Sequence, residues 1–191
     1  FMEAECLFEQ EKYAEALKAY DQLGNLTVKD YRVLSLLHGG QAASKLGQWD
    51  RSISLLTRIP AEFADSSFLP EALYELGWAH QNKGNADEAA VLYAQVIGKT
   101  NREVAARAQF MLGEIQFEKK DHAAAISSFF KVAYGYSYPK WQSMATYEAG
   151  RCFEVLGKKE QALKQYQELV EKYPESDKVP LAKQRIQELK G

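Results

Sequence analysis

The side chains in this sequence that could carry out nucleophilic, acid–base or metal chemistry are few and far apart. The histidines are His38, His80 and His122, and the cysteines are Cys6 and Cys152. No two of these five stand at the spacing of a metal-binding motif, whose ligands recur a few residues apart. The sequence also has no glycine-rich phosphate-binding loop and no nucleophile elbow. We therefore expect no catalytic residue, no metal site and no cofactor.

The balance of charge argues against two classes of partner. The 191 residues include 24 basic and 26 acidic side chains, with a formal net charge of −2. The two signs are interspersed, whereas a surface that follows a phosphate backbone needs a basic block. No apolar run approaches the roughly 20 residues that span a bilayer. We expect neither nucleic-acid binding nor a direct membrane span.

A pattern of small and bulky residues recurs five times, at intervals of 36 or 37 residues. A small residue is followed twelve residues later by a second small one, and four residues after that by a bulky one. The first marks are Ala4, Gly40, Gly77, Gly113 and Gly150, the second are Ala16, Ser52, Ala89, Ala125 and Ala162, and the third are Tyr20, Leu56, Tyr93, Phe129 and Tyr166. This period indicates stacked helix pairs. Cys6 and Cys152 each follow a first mark by two residues, so both are predicted to be buried free thiols, too far apart for a disulfide.

Helix boundaries follow from apolar spacing, turn glycines and capping residues. Gly47, Gly84 and Gly157 suit the left-handed conformation that ends the first helix (helix A) of a pair, and Lys120 occupies the same slot in the fourth repeat. Asn85 and Asp121 are predicted to cap the second helix (helix B). The predicted helices cover residues 2–10, 13–24, 30–46, 49–59, 68–83, 86–98, 101–119, 122–134, 140–156, 159–172 and 177–190.

Two segments depart from the regular pattern. Residues 60–70, which begin and end with proline, are predicted to form a longer and irregular link. Residues 134–141 contain three tyrosines and a tryptophan. One interpretation of that segment is an extended helix end that packs over the next repeat. The other is an exposed aromatic contact site, of the kind that often marks an interface.

The repeat positions resemble the tetratricopeptide repeat (TPR) family, whose pattern combines a small residue at position 8, Gly at 15, Ala at 20, an aromatic at 24 and often Pro at 32. The fifth repeat matches best, with Gly150, Gly157, Ala162, Tyr166 and Pro174. The resemblance implies an all-α fold, a right-handed superhelical solenoid of antiparallel helix pairs. It also implies a single domain over residues 1–191, with repeats at 1–28 (partial), 33–69, 70–105, 106–142 and 143–176 and a capping helix at 177–190.

The same resemblance implies a non-enzymatic scaffold that binds a protein or peptide partner on a concave face lined by the A helices. The residues that it places on this face are Tyr74, Trp78, Gln81, Phe110, Glu114, Phe117, Tyr147 and Arg151. Aromatic side chains make effective anchors because they bury a large area at low entropic cost. For Tyr74, Phe110 and Tyr147 the alternative is a place in the partly buried core.

Other functions were weighed against this one. The TPR subtype that grips a C-terminal carboxylate uses Lys and Asn on these rows, which are absent here, and Arg151 is predicted to pair with a neighbouring glutamate. The main alternative is a structural TPR module that mediates homo-oligomer or multiprotein assembly. Glycan binding on the aromatic face is a further alternative. Glycosidase chemistry needs two carboxylates at a fixed separation, however, and only Glu114 is well placed.

The two ends of the chain carry further expectations. The first residue is Phe1 and Ala4 already occupies position 8 of its repeat, so we expect sequence upstream of this chain. Residues 172–177 and 182–186 resemble the terminus of bacterial cell-envelope TPR proteins, such as the periplasmic Tol-Pal coordinator and the lipoprotein of the outer-membrane assembly machine. This resemblance favours the bacterial periplasm or cell envelope, with the cytoplasm as the alternative.

Overall fold

The computed structural model describes residues 1–23 and 28–191. These residues form no strand and eleven helices: α1 (Met2–Glu9), α2 (Tyr13–Gln22), α3 (Lys29–Lys45), α4 (Trp49–Glu62), α5 (Leu69–Asn82), α6 (Ala86–Lys99), α7 (Glu103–Glu118), α8 (His122–Gly135), α9 (Pro139–Val155), α10 (Lys159–Lys172) and α11 (Val179–Lys190). The predicted all-α class is confirmed, and the described helix ends lie within three residues of the predicted ones. The predicted end of the second helix, at residue 24, lies outside the described residues.

The helices group into two compact units, residues 1–100 and residues 101–191, called here the N-terminal and the C-terminal unit. In each unit a helix packs against the next one along the chain. Because short turns join the helices of a pair, the two helices run antiparallel. The A helices α3 and α5 also contact each other in the N-terminal unit, as do α7 and α9 in the C-terminal unit.

The recurring small and bulky residues mark the points where paired helices approach most closely. A Cβ atom added to Gly77 would lie 2.8 Å from Tyr93 Cε1, and one added to Gly113 would lie 2.7 Å from Phe129 Cε1. The side chains of Tyr93 and Phe129 are fully buried. Glycine at these positions therefore leaves the space into which the bulky residue of the partner helix packs.

The turns between paired helices share one geometry. The predicted left-handed turn glycines are confirmed, with φ of 69° at Gly47, 93° at Gly84 and 69° at Gly157. Lys120 and Glu11 adopt the same conformation, with φ of 63° and 58°. At every such turn this residue donates its amide to the carbonyl three residues earlier, and the next amide donates to the carbonyl five residues earlier. These bonds satisfy the last carbonyls of helix A.

One of the two predicted helix caps is present. Asp121 accepts a hydrogen bond from the Ala124 amide at 3.1 Å, so the prediction that it caps α8 is confirmed. The prediction that Asn85 caps α6 is wrong, because its side chain makes no capping bond. The side-chain nitrogen of Asn85, Nδ2, instead lies 3.4 Å from His80 Nδ1.

The link predicted to be irregular is shorter and more regular than expected. Helix α4 continues through Pro60, since a proline in the last turn removes only one amide bond. Residues 63–68 and 173–178 then form the same connection. In each, the serine hydroxyl (Ser66 or Ser176) accepts a hydrogen bond from the backbone amide two residues later, at 3.2 Å. The backbone amide of the same serine donates to the carbonyl three residues earlier, at 2.9 Å.

The two cysteines differ in their surroundings. Cys152 is buried in the core of the C-terminal unit, beside Ala133 and Ala149. The prediction that Cys6 is buried is wrong, because it is exposed on α1. No described helix covers the side of α1 that carries it.

The aromatic segment at residues 134–141 divides between the two interpretations. Trp141 is partly buried, with its ring 5.6 Å from that of Phe110, and its Nε1–H donates to Glu103 Oε1 at 2.8 Å. Tyr134 is 54% exposed. Packing therefore explains Trp141, whereas Tyr134 lies on the surface.

Candidate functional site

Three of the predicted site residues lie on α5 in the N-terminal unit. Tyr74 is only 4% exposed and its ring lies 5.7 Å from that of Tyr93, so the core alternative applies to Tyr74. Gln81 is partly exposed and accepts a hydrogen bond from the Tyr93 hydroxyl at 2.9 Å. Trp78 is partly exposed as well. Trp78 is therefore the aromatic that α5 presents at its surface.

The other five predicted residues lie on α7 and α9 in the C-terminal unit. Phe110 is buried between the rings of Phe129, at 5.3 Å, and Trp141, at 5.6 Å, so it too belongs to the core. The remaining four, Glu114, Phe117, Tyr147 and Arg151, are partly or fully exposed. We call these four residues the α7–α9 face.

Arg151 ties the two helices of this face together. Its Nη1 lies 2.6 Å from Glu148 Oε2, which confirms the predicted ion pair. Its guanidinium carbon also lies 5.1 Å from the centre of the Phe117 ring. An ion pair and a cation–π contact thus fix one guanidinium group at the centre of the face. Glu148 itself is only 8% exposed.

Tyr147 is held in a similar way at the end of the face nearest α11. Its ring lies 5.4 Å from that of Tyr166 and 5.6 Å from the Lys178 ammonium nitrogen. Burial raises the pKa of Tyr147 above its usual value, and the nearby charge of Glu148 adds to this effect. The tyrosine therefore stays neutral and presents a hydroxyl and part of a ring.

Glu114 is the acid of the face whose ionisation is most perturbed. Burial is the main cause, and the charge of Glu148 adds to it, while Arg151 acts in the opposite direction. Together these effects raise the pKa of Glu114 to about 7. Burial also raises the pKa of Glu148, against the lowering effect of Arg151. A carboxyl group that changes charge near neutral pH thus lies among partly exposed aromatic rings.

A second ion-pair network anchors the last helix of the unit. Glu154 on α9 accepts hydrogen bonds from Arg185 on α11, at 3.1 Å from Arg185 Nε, and from the Tyr166 hydroxyl. Burial opposes ionisation of Glu154, but these bonds outweigh it and lower its pKa. The network joins α9, which carries Tyr147 and Arg151 of the face, to α10 and α11, and so fixes these three helices relative to one another.

Two other kinds of feature are absent from residues 1–23 and 28–191. Within these ranges no group of three or more His, Cys, Asp or Glu side chains is placed to hold a metal ion. None of the helices described has the length and apolar character needed to cross a membrane. A cavity of about 440 Å³ lies between the start of α9 and residues 172–177.

The sequence predicted exposed side chains on the A helices but not the residues that support them. It placed Trp78, Phe117 and Arg151 correctly as surface residues of A helices. Lys178 was missed, although it follows the fifth repeat at a position equivalent to the start of the next helix A. That register, continued beyond the last repeat, is the signal that could have found it.

Comparison with known families agrees with the repeat pattern. Residues 39–101 and 74–140 match one family model of the tetratricopeptide repeat, and residues 144–176 match a second. A search of curated protein sequences found no significant match.

Solved structures give the same fold. The chain is similar to the C-terminal part of a TPR repeat-containing protein from Cytophaga hutchinsonii, with a TM-score of 0.77 and 16% identity over 91% of this chain. It spans 65% of that structure's length. It is also similar to MamA, with a TM-score of 0.72 and 21% identity over 88% of this chain and 93% of MamA. A third similar structure is YrrB, described as a TPR protein with an unusual peptide-binding site, with a TM-score of 0.65 and 16% identity over 90% of this chain and 84% of YrrB.

Proposed function

Since the chain belongs to the tetratricopeptide repeat family, whose fold serves as a protein–protein interaction scaffold, we propose that it binds a segment of a partner protein on the exposed side chains of its A helices. It performs this role without catalysis. The partner segment is extended or helical, because both forms present side chains at regular spacing to a row of anchors.

The observation that carries this proposal is the composition of the α7–α9 face. Phe117 and Tyr147 are partly exposed, and each has a cation fixed over its ring, Arg151 in one case and Lys178 in the other. Partly exposed aromatic rings with an immobilised Arg are typical of the residues that dominate binding energy at interfaces. In the N-terminal unit, α5 carries a separate, partly exposed aromatic side chain, Trp78, with the amide side chain of Gln81 one turn further on.

The proposed face differs from the sequence-based one in two residues. Tyr74 is 4% exposed and Phe110 is 6% exposed, so both pack in the core beneath the exposed side chains and do not contact the partner. Binding is therefore assigned to the four residues of the α7–α9 face in the C-terminal unit, and Trp78 and Gln81 are proposed as a separate contact on α5 in the N-terminal unit.

A catalytic role on the same face has little support. Glycoside hydrolysis needs a carboxylic acid and a second, reactive carboxylate. Glu114 has the raised pKa of an acid, but its neighbour Glu148 is buried and ion-paired to Arg151.

A binding experiment with a matched control tests the proposal. Three proteins are used to capture partners from a lysate of the source organism: the wild-type chain, the Trp78→Ala/Phe117→Ala variant and a Val91→Ala/Val155→Ala control. Val91 and Val155 are 59% and 58% exposed and lie outside the proposed surface. Circular dichroism first establishes that the three proteins are equally helical.

We expect a protein that the wild type and the control both retain and the aromatic variant loses. Equal retention by all three proteins would contradict the proposal. It would direct attention to Tyr134, the exposed aromatic of α8.

Self-assembly is the alternative function and has its own test. Light scattering after size exclusion, over a hundredfold range of concentration, measures the mass of the chain. A constant monomeric mass is expected for a scaffold that binds other proteins. A mass that rises to a defined oligomer, and falls in the Trp78→Ala/Phe117→Ala variant, would replace the proposed partner by a second copy of the chain.

The proposed compartment is the bacterial cell envelope. It is supported by the resemblance of residues 172–177 and 182–186 to the terminus of envelope TPR proteins. Fractionation of source cells tests it, and recovery of the protein solely with cytoplasmic markers would contradict it.

A further inference from the structure

We propose that Glu114 recognises a basic side chain, lysine or arginine, on the bound partner segment. The inference rests on the proposed function and specifies the chemistry of its partner. Glu114 lies on α7 between Phe110, which is buried, and Phe117, which is partly exposed. A basic residue of the partner would reach the carboxylate while its alkyl stem packs on the neighbouring ring.

Hydrogen bonding distinguishes Glu114 from the other buried or partly buried acids around the face. Glu148 is paired with Arg151, and Glu154 is paired with Arg185. Among the described residues of the C-terminal unit, the Glu114 carboxylate has neither a hydrogen bond nor an ion pair. A carboxylate largely removed from water and without a partner is unfavourable. A cation brought by a partner would remove that penalty.

The local charge balance also favours a cation. The charged groups that act on Glu114 are Glu118 on the same helix, Glu148 and Arg151 on α9, and Lys178 before α11. When all five groups are ionised, three carboxylates face two cations, so one negative charge is left. Arg151 is already engaged by Glu148 and by Phe117. A single basic side chain would neutralise the site.

The aromatic rings of the face already bind cations of this kind. The Arg151 guanidinium lies over Phe117 at 5.1 Å, and the Lys178 ammonium lies over Tyr147 at 5.6 Å. Such contacts show that these rings accommodate positive groups at cation–π distance, and both rings remain partly exposed beside them. The surroundings of Glu114 therefore suit both the charge and the apolar stem of a basic residue.

Binding of a basic group is expected to depend on pH. With a pKa of about 7, Glu114 is roughly 9% ionised at pH 6 and roughly 91% ionised at pH 8. The affinity for a basic segment should accordingly rise about tenfold from pH 6 to pH 8. His122 packs on Phe117, with ring centres 5.1 Å apart, so its own contribution to binding must be separated from that of Glu114. A His122→Asn variant therefore controls for that contribution.

The probe is a set of 12-residue peptides selected from a random phage library on the full chain at pH 8. The most enriched peptide is synthesised in two forms, one with its basic residue and one with norleucine in that place. Fluorescence anisotropy then gives the Kd of each peptide for wild type, Glu114→Gln and Glu160→Gln, at pH 6 and pH 8. Glu160 is exposed on α10 and is not among the charged groups that act on Glu114, so Glu160→Gln is the matched control.

We expect enriched peptides to contain Lys or Arg. Norleucine in the peptide and Glu114→Gln in the protein should each weaken binding about tenfold at pH 8, and both together no more than either alone. Glu160→Gln and His122→Asn should preserve the tenfold pH dependence.

Three results would overturn the inference. Enriched peptides without basic residues, equal affinity of wild type and Glu114→Gln, or a pH dependence lost in His122→Asn would each do so. If Phe117→Ala still abolishes binding in those cases, the proposed function stands and the inference alone fails. If no peptide is enriched, or if Phe117→Ala binds as wild type does, the proposed function itself fails on this face.

Discussion

The substitution Gly77→Ala tests whether helix pairs in this chain are held at a distance that excludes one methyl group. Gly77 lies on α5, where an added Cβ would meet Tyr93 Cε1 at 2.8 Å, Cδ1 at 3.1 Å and Cζ at 3.3 Å. The Tyr93 side chain is fully buried, and its hydroxyl donates to Gln81 Oε1 at 2.9 Å. The ring would have to move by about 0.6 Å to reach an ordinary contact distance.

Two opposing effects set the expected magnitude. Forcing a methyl group into a packed core costs about 1–3 kcal/mol, and a ring fixed by burial and by a hydrogen bond places Gly77 near the upper value. Alanine in a helix interior is better than glycine by about 1 kcal/mol. The net expectation is a loss of about 2 kcal/mol in the free energy of unfolding. For a chain of this size, that corresponds to a fall of about 4–8 °C in Tm.

Gly98→Ala is the matched control in the same helix pair. Gly98 lies in α6 and no atom lies within 4 Å of its added Cβ. Only the helix preference remains, so this variant should gain up to about 1 kcal/mol. Urea titration followed by circular dichroism at 222 nm measures both changes. The prediction is thus a difference in sign between two identical chemical substitutions.

The reasoning would be refuted if Gly77→Ala were stabilising to the same extent as Gly98→Ala. That result would mean that the α5–α6 contact relaxes at no cost. The recurrence of small and bulky marks would then reflect something other than close packing.

Three further predictions concern turns, protonation and thiols. Lys120→Gly should raise the free energy of unfolding by about 1 kcal/mol in urea titrations, and Gly157→Ala should lower it by about the same amount, because both positions have positive φ. Glu114 binds its proton more tightly in the folded state, so its contribution to stability falls as pH rises from about 4.5 to about 7. Glu114→Gln should therefore stabilise the chain by about 2 kcal/mol at pH 8 and by much less at pH 5, and equal effects at both would contradict this. A thiol reagent should modify one cysteine, Cys6, in the native chain and the second only in denaturant, because Cys152 is buried and its pKa is raised to about 12.

Local signals in the sequence predicted the helices well. The turn at Gly84 needs a left-handed residue, and the apolar spacing that precedes it needs a helix, so both could be predicted without knowledge of distant contacts. Lys120 was noted as a departure, yet it takes the same conformation. Hydrogen bonds at the end of helix A impose that geometry on whatever residue occupies the slot. The prolines predict an irregular link from residue 60 onward, but α4 continues through Pro60, because a proline near a helix end removes a single bond instead of breaking the helix.

Burial was harder to predict than helicity. Tyr74 and Tyr147 occupy the same repeat position, but Tyr74 is 4% exposed whereas Tyr147 is partly exposed beside Lys178. Cys6 and Cys152 are likewise equivalent in the pattern but differ in exposure. Equivalent positions acquire different surroundings because each repeat is covered by different neighbours.

The sequence by itself determined the period, the helix pairs and the left-handed turns, because these depend on residues close together along the chain. Only the tertiary structure decided which aromatic side chains form the core and which, such as Phe117, remain at the surface. It also decided the protonation of Glu114, whose carboxyl group is removed from water and lies near Glu148 of another helix. Burial and charge depend on atoms brought together from distant parts of the chain, and no local pattern of residues encodes them.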